Sequence, residues 1–194
     1  MAAAMTLEGR EPGSETIAAA RAGDLAAFEL LMRQHERLVL ATALRQTGNL
    51  EDAKDVSQEV FLKLYRNLRK VETDAALPAW LYRVTVNACH DLRRRKPEAA
   101  PVEIADHLPS GEKDPQATVS EAERRRVLEL SLRMLPEKER TALVLRDLEG
   151  LTTEETARVL GSSEATVRSQ ISKARAKVHD FVERYFAPRK GERR

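Results

Sequence analysis

Three stretches in the first half of the chain carry apolar residues at every third or fourth position, the period of an α-helix packed on one side. The first runs from Asp24, whose short acceptor side chain favours a helix start, to about Thr47. The second runs from about Glu51 to Leu68, and the third begins near Pro78, a residue common in a first helical turn. The pattern predicts a helical bundle whose first two helices turn these residues inward: Phe28, Leu31, Met32, Leu38, Val39, Thr42, Val56, Val60, Phe61, Leu64 and Leu68.

The second half of the chain repeats the helical period in shorter pieces. Residues 121–135 predict one helix, and Pro136 begins another over residues 137–148, which Gly150 ends. The alternation of apolar and polar residues that marks strands is absent from the sequence. We therefore expect an all-α protein.

A stretch over residues 97–120 separates the two halves. It contains four prolines and few large apolar side chains, and five acidic residues against one lysine leave it with a net charge of −4. Such a segment buries too little apolar surface to fold, so we predict a flexible acidic linker between two small helical domains. The predicted organisation is a disordered tail over residues 1–20, domains over residues 21–96 and 121–186, and a basic tail over residues 187–194.

Composition limits what the whole chain can bind. Its 194 residues carry a net charge of only +2, so attraction to nucleic acid must come from local patches. One patch covers residues 161–194, with nine lysines and arginines against four acidic residues, and another is the run at residues 93–96. A single cysteine excludes an internal disulfide framework, and no apolar run is long enough to span a bilayer. We expect a soluble, cytoplasmic protein that does not insert into a membrane.

A helix-turn-helix is indicated near the C-terminus. Thr152 and Glu155 have the spacing of a capping box, so a helix should start at Thr153. Gly161 suits the left-handed position that ends a helix, and Ser162 can cap the next one. Two short helices joined by a glycine turn are typical of DNA-binding domains.

The second of these helices has an apolar stripe of Val167, Ile171, Ala174 and Val178. Small serines on the opposite face allow a close approach to base edges, and cationic side chains there can reach guanine acceptors or phosphates. A solvated amphipathic helix would show the same stripe, but the preceding turn favours insertion into a major groove. The candidate DNA-facing residues are Arg168, Ser169, Ser172, Lys173 and Arg175.

The third helix of the first half carries two stripes. The core stripe is Leu81, Thr85, Ala88 and Leu92, and a second stripe about 90° away holds Trp80, Val84, Asn87 and Asp91. Alternating apolar and hydrogen-bonding groups can hold an unstacked base, although Trp80 and Val84 would also fit an ordinary core with Asn87 at the surface. The cations that flank this face and can hold phosphates are Arg83, Arg94 and Arg95.

Motifs of catalysis and metal binding are absent from the sequence. There is no nucleophile elbow, phosphate-binding glycine loop or HExxH pattern, and the four histidines are scattered. Cys89 and His90 are adjacent on a predicted helix and point about 100° apart, so they make a poor metal pair. We expect no enzyme activity, no metal and no cofactor.

Three motifs, in order, resemble the bacterial sigma-70 family of RNA polymerase sigma factors, in its extracytoplasmic-function (ECF, group 4) class. "EDAKDVSQEVFLKLYRNL" resembles the helix that grips the clamp helices of the polymerase β′ subunit. "PAWLYRVTVNACHDLRRRK" resembles the helix that melts and reads the −10 promoter element. "LPEKERTALVLRDLEGLTTEETARVLGSSEATVRSQISKARAKV" resembles region 4, which reads the −35 element. The resemblance covers roughly residues 20–185 and implies a region 2 helical bundle and a region 4 helix-turn-helix.

The resemblance also implies partners and a role for each set of residues. Core RNA polymerase would be contacted through its β′ clamp helices and β flap, promoter DNA would be the second partner, and an anti-sigma factor would mask the polymerase-binding surfaces. The polymerase-facing residues would be Asp55, Gln58 and Glu59. Asn67, Lys70 and Val71 would lie at the loop that captures a flipped −10 base, beside a groove lined by Val84, Asn87 and Asp91, and Arg168, Ser169, Ser172 and Lys173 would face the −35 element.

Two residues depart from the family's pattern. Val71 stands where many relatives carry an aromatic residue, so stacking on a flipped base would be weaker. Asp91 stands where an amide is common, and a carboxylate can only accept hydrogen bonds. Two other interpretations remain open: a free-standing helix-turn-helix regulator that binds its operator unaided, and an adaptor that binds polymerase without reading DNA.

Overall fold

A computed structural model of the chain describes residues 14–71, 76–96 and 120–187. The N-terminal unit contains α1 (Ser14–Arg21), α2 (Leu25–Thr47), α3 (Leu50–Asn67), a 3₁₀ turn (Leu68–Lys70) and α4 (Leu77–Arg95). The C-terminal unit contains α5 (Glu121–Met134), α6 (Glu137–Leu143), a π-helical segment (Val144–Leu148), α7 (Thr153–Leu160) and α8 (Glu164–Phe186). The predicted all-α fold is confirmed. The predicted linker before Ser120 and the basic tail after Ala187 lie outside the described residues.

α1 corrects the prediction of a disordered tail over residues 1–20. From Ser14 onward the chain is helical, and Ile17 is only 2% exposed. Ile17 and Ala20, one turn apart, join the core of the N-terminal unit, and Arg21 Nε donates to the carbonyl of Leu68 at 3.2 Å. The prediction failed here because two buried residues in an alanine-rich segment give too weak a periodic signal.

Of the helices in the N-terminal unit, α2, α3 and α4 start and stop where the sequence predicts. Asp24 caps α2 by accepting hydrogen bonds from the backbone of residues 26 and 27, and Gly48 ends it at φ 70°. Asn49 caps α3, and Pro78 lies in the first turn of α4. The inward stripes are confirmed, with Leu31, Val39, Val56, Val60, Leu64 and Leu81 all buried.

The C-terminal unit differs from the sequence prediction after α6. The predicted helix over residues 137–148 widens to π geometry from Val144, and the N–H of Glu149 donates to the carbonyl of Val144 at 2.9 Å. As a result Val144 packs in the core of its own unit, whereas Leu145 packs in a separate cluster with residues of α4. The core of this unit comprises Leu132, Leu135, Ala142, Leu143, Val144, Ala157, Val167, Ile171 and Ala174.

The two units pack directly against each other. α4 contacts α7, and α2 contacts α5 and the π-helical segment. Between them lies a buried apolar cluster of Tyr82, Val86, Leu145 and Val159, which we call the inter-unit cluster. The sequence predicted two modules on a tether and gave no sign of this contact.

Candidate nucleic-acid and protein interfaces

The first helix of the helix-turn-helix is capped by side chains at its N-terminal end and by a left-handed glycine at its C-terminal end. Thr152 Oγ1 accepts the backbone N–H of Glu155 at 3.1 Å, and the Glu155 carboxylate accepts the backbone N–H of Thr152 at 2.7 Å. These hydrogen bonds lower the pKa of Glu155, and they confirm the predicted capping box. Gly161 ends α7 at φ 60°, the left-handed region that glycine adopts without strain. The turn into α8 is therefore well defined.

The residue that caps α8 is one position later than predicted. Ser163, not Ser162, is the N-cap, and its Oγ accepts the backbone N–H of Thr166 at 3.2 Å. Ser162 instead donates its own N–H to the carbonyl of Ala157 at 3.0 Å and so completes the end of α7. Ser162 and Ser163 are adjacent and either can cap a helix, so the sequence alone does not show which of them is the N-cap of α8.

The outer face of α8 is open to solvent along its first half. Its predicted apolar stripe is confirmed, with Val167 and Ala174 0% exposed. Arg168 pairs with Glu164 at 3.2 Å, but both side chains are exposed, and a surface pair of this kind exchanges easily for another partner. The structure therefore brings four of the predicted DNA-facing residues together on one accessible face: Arg168, Ser169, Ser172 and Lys173.

Arg175 is placed differently from the other candidates on α8. Its guanidinium makes two hydrogen bonds to the carboxylate of Asp147, at 2.8 and 2.7 Å. This pairing raises the pKa of Arg175, and it holds the side chain against the π-helical segment. A phosphate would have to replace Asp147 as its partner, a constraint that the sequence did not reveal because the two residues are 28 positions apart.

The second stripe of α4 is half buried and half exposed. Trp80 and Val84 pack against the core of the N-terminal unit while remaining partly exposed, and Asn87 is exposed. The core stripe beside it is confirmed, since Leu81 and Thr85 are 0% exposed. An apolar surface next to a free amide is thus available on this face, as the sequence predicted.

Charges flank this stripe. Asp91 is hydrogen-bonded to Arg94, and this hydrogen bond lowers the pKa of the Asp91 carboxyl. The pair neutralises much of the negative charge that Asp91 would present to DNA. Arg83 and Arg95 are both exposed and flank the stripe as predicted.

The structure describes two of the three side chains predicted at the flipped-base loop, those of Asn67 and Val71. The Asn67 amide donates to the carbonyl of Lys63 at 2.9 Å. Val71 is only 2% exposed and packs in the core of the N-terminal unit, so in this arrangement its side chain is not available to a base. The side chain of Lys70 and residues 72–75 lie outside the described part of the chain.

The three predicted polymerase-facing residues share the outer surface of α3. Asp55 and Gln58 are exposed, and Glu59 pairs with Lys63 at 2.6 Å. The inward positions of this helix, including Val56 and Val60, are buried, so the outer residues can change partners without loss of core packing.

An apolar groove beside this surface was missed by the sequence analysis. It lies between α2 and α3, encloses about 570 Å³, and is lined in part by Phe28, Met32, Phe61, Leu62 and Tyr65. The rings of Phe28 and Tyr65 meet edge to face at 5.1 Å between centroids. Leu62 and Tyr65 are each 56% exposed, and exposed apolar residues clustered in this way mark protein-docking surfaces. The sequence did contain a signal for this groove, because the apolar residues Leu62 and Tyr65 lie on α3 outside its inward stripe.

α4 has a third face that the sequence analysis also missed. Tyr82, Val86 and His90 lie about 130° from both stripes and face the C-terminal unit, and Arg93 on the same side donates to the carbonyl of Gln46 in α2. Burial raises the pKa of Tyr82 to about 12, with a further contribution from Glu149. Burial lowers the pKa of His90 despite the opposing attraction of Glu137, and its Nε2 lies 3.2 Å from Thr141 Oγ1. α4 therefore has two packed faces and one stripe that is partly exposed.

Cys89 and His90, the two adjacent residues considered as a metal pair, both make packing contacts. The Cys89 thiol is buried, which raises its pKa to about 12 and keeps it protonated. His90 is held by the contact with Thr141.

Within the described ranges, none of the helices combines the length and apolar character needed to cross a membrane.

Comparison with protein families matches both units in chain order. The family described as "Sigma-70 region 2" matches residues 31–97, and "Sigma-70, region 4" matches residues 125–178. The chain is 35% identical over 165 residues to the ECF RNA polymerase sigma factor SigM of Mycobacterium tuberculosis, covering 85% of this chain and 82% of that protein. It is 33% identical over 171 residues to the ECF RNA polymerase sigma-E factor of Escherichia coli, covering 83% of this chain and 89% of that protein.

Two solved structures are similar in fold to this chain. CnrH in complex with the cytosolic domain of CnrY is similar with a TM-score of 0.64 and 26% identity, covering 90% of this chain and 99% of that chain. The sigma factor RpoE in complex with the anti-sigma factor NepR from Bartonella quintana is similar with a TM-score of 0.63 and 20% identity, covering 80% and 96%. Because its identity is only 20%, the second structure shows a similar fold and nothing more.

Proposed function

Because this chain belongs to the sigma-70 family, in its ECF class, we propose how its surfaces divide the work of transcription initiation. As a sigma factor the chain binds core RNA polymerase, directs it to specific promoters and assists opening of the −10 element. It supplies recognition and strand separation in the cytoplasm, and the polymerase supplies the catalytic site.

The open face of α8 is the observation that carries the proposal. α8 follows the capped helix α7, packs through a largely buried stripe and presents four of the predicted DNA-facing side chains to solvent. Lys173 and Arg168 reach base edges of the −35 element in the major groove, and the serines allow the helix to approach closely. Arg175 contacts a phosphate after exchanging its partner Asp147.

The second stripe of α4 acts on the −10 element. Val84 offers an apolar surface to an extruded base, and the Asn87 amide can both donate to and accept from its edge. Asp91 and Arg94 act as a pair, with the carboxylate accepting from an exocyclic amine. Arg83 and Arg95 contact phosphates of the displaced strand.

The outer surface of α3 and the neighbouring groove serve protein partners. Asp55, Gln58 and Glu59 contact the β′ clamp helices of core polymerase, while the C-terminal unit contacts the β flap. The adjoining groove takes an amphipathic segment of an anti-sigma factor, since it is apolar at its base and bordered by charged residues such as Glu29 and Arg33. Occupation of this groove would block polymerase from the same surface.

Gel-shift titrations of free protein and of holoenzyme test this function. The chain alone should bind promoter DNA weakly, whereas core polymerase with the chain should bind it tightly and with sequence preference. Core polymerase alone is the control for non-specific binding. Tight, sequence-specific binding by the chain alone would instead support a free-standing regulator.

A further inference from the structure

The turn at the end of α3 is packed against α1, the helix that the sequence analysis missed. The 3₁₀ turn (Leu68–Lys70) and Val71 follow directly after α3. α1 packs on this turn, and Ile17 of α1 shares the buried core with Leu68 and Val71. These three side chains are 2%, 4% and 2% exposed. The turn therefore rests on an apolar core to which α1 contributes.

One carbonyl joins α1 to this turn. The oxygen of Leu68 accepts from Arg21 Nε at 3.2 Å and from the backbone N–H of Val71 at 3.3 Å. Arg21 lies 47 positions before Leu68, so its hydrogen bond is a tertiary contact and not a local cap. Carbonyls at the end of a helix carry partial negative charge and lack partners within the helix, which makes a guanidinium a suitable donor there. Arg21 thus holds the first residue of the turn, and the core holds Val71 after it.

The rest of the Arg21 guanidinium gains little from its position. Its Nη2 atom is buried and makes no hydrogen bond to the part of the chain that the structure describes. A buried donor without a partner lowers the stability of a fold, so an arginine is a costly way to fill this space. An apolar side chain of similar length would fill it without that cost but could not donate to Leu68. The hydrogen bond to the turn is therefore what the arginine adds at this position.

α1 is joined to α2 by a short, hydrogen-bonded turn. The N–H of Asp24 donates to the carbonyl of Ala19 at 3.1 Å, and the N–H of Gly23 donates to the carbonyl of Ala20 at 3.1 Å. This pair of hydrogen bonds is the Schellman arrangement, which requires a left-handed residue, and Gly23 has φ 97°. Asp24 then caps α2, which packs on α3 and α4. The position of Arg21 relative to the 3₁₀ turn is therefore set by the bundle itself.

We propose that Arg21 is a positioning residue that holds the 3₁₀ turn in place for recognition of the −10 element. The proposal rests on the proposed function, because the family resemblance places Asn67 and Val71, on either side of the turn, at the site of a flipped base. Arg21 acts through the turn and not by contact with DNA, since its side chain is directed at the Leu68 carbonyl. Without this hydrogen bond the turn would adopt more conformations, and only the fraction in the competent one would bind the extruded base.

Three substitutions separate the hydrogen bond from packing. Arg21→Met removes the donor and keeps a flexible, unbranched side chain in the same space. Arg21→Lys keeps a cationic donor and should retain part of the wild-type behaviour. Arg184→Met is the matched control, because Arg184 Nε also donates to a backbone carbonyl, that of Asp180 at 3.1 Å, but at an exposed site on α8. Circular dichroism should show the same helical content in all three variants as in wild type.

Amide hydrogen exchange of the free chain tests whether Arg21 holds the turn. In Arg21→Met the N–H of Val71, which donates to the same carbonyl, should exchange roughly 3–10-fold faster than in wild type. The amides of Val60 and Leu64, in the core of α3, should be unchanged, and Arg184→Met should match wild type at Val71. Unchanged exchange at Val71 in Arg21→Met would overturn the positioning role, whatever the chain does at a promoter.

Open-complex formation by the holoenzyme tests the consequence for promoter recognition. On paired templates, discrimination between the preferred and a substituted −10 base should fall roughly 3–10-fold in Arg21→Met, with Arg21→Lys between this variant and wild type. Discrimination at the −35 element and affinity for core polymerase should stay at the wild-type values. A merely structural role would lower discrimination at both elements alike, and that result would overturn the proposal.

The two measurements also separate this proposal from the function on which it rests. Faster exchange at Val71 with normal −10 discrimination would overturn the link between the turn and base recognition. A wild-type holoenzyme without any −10 preference would instead overturn the assignment of this unit to the −10 element. The exchange result needs neither polymerase nor promoter, so it identifies which of the two has failed.

Discussion

α4 and α8 are the two helices proposed to read promoter DNA, and they are packed differently by the rest of the fold. α8 spans 23 residues with two functional sides, a buried stripe and an open polar face. α4 spans 19 residues and has three, since Tyr82 and Val86 add a contact with the C-terminal unit. A substitution on α8 therefore affects either packing or DNA contact, whereas one on α4 affects packing, DNA contact or the position of the other unit.

The largest effect is expected from the core side of α4. Leu81→Ala removes a side chain that is 0% exposed and should lower the free energy of unfolding of the N-terminal unit by about 2–5 kcal/mol, because it leaves a cavity. Denaturant unfolding followed by fluorescence of the single tryptophan, Trp80, reports on this unit. Leu25→Ala, at a leucine that is 69% exposed, is the control. Equal midpoints for the two variants would show that the core stripe of α4 is assigned wrongly.

The open face of α8 should show a smaller effect, visible in sequence preference. Lys173→Ala should reduce discrimination at one or two positions of the −35 element by about 1–3 kcal/mol, because a lost base contact removes sequence information. Arg175→Ala should weaken holoenzyme binding to all sequences alike, because a phosphate contact carries no sequence information. It should also lower the salt dependence of binding. Binding to a library of promoter variants at several salt concentrations separates the two. If neither variant changes preference or salt slope, α8 does not enter a groove.

The exposed stripe of α4 should show the smallest effect. Asn87→Ala lies on a solvent-facing position and should leave folding largely intact. The holoenzyme should form open complex less readily on paired promoter, by about 1 kcal/mol for one lost hydrogen bond. On a template already mismatched at −10, where unstacking no longer has to be offset, binding should be near normal. Permanganate reactivity of unpaired thymines measures this, and equal defects on both templates would assign Asn87 to polymerase docking or stability.

Local sequence pattern was sufficient wherever one element decides the structure. The stripes of α2, α3 and α8, the Asp24 cap, the Thr152–Glu155 capping box and the Gly161 turn were all predicted, because each depends on residues within one or two helical turns. The exposed set on α8 followed from the same periodicity. These are the parts of the candidate site that needed no tertiary information.

Features that depend on distant partners were not predicted. The inter-unit cluster joins residues of α4 to Leu145 and Val159 across the whole linker, and two apolar residues beside a core stripe are indistinguishable from ordinary core. The Arg175–Asp147 pair and the burial of Val71 likewise follow from how the helices pack. The sequence predicted that Val71 and Arg175 contact DNA, but tertiary packing decides how accessible each side chain is.

The most direct test of the central claim is to sequence the 5′ ends of RNAs made from genomic DNA by core polymerase with and without this chain. The account predicts new start sites that share two upstream elements at a fixed spacing. Arg168→Ala with Lys173→Ala should relax the −35 element while the −10 element is retained. Start sites that share no elements, or that are the same with and without the chain, would contradict the assignment of α4 and α8 as promoter-reading helices.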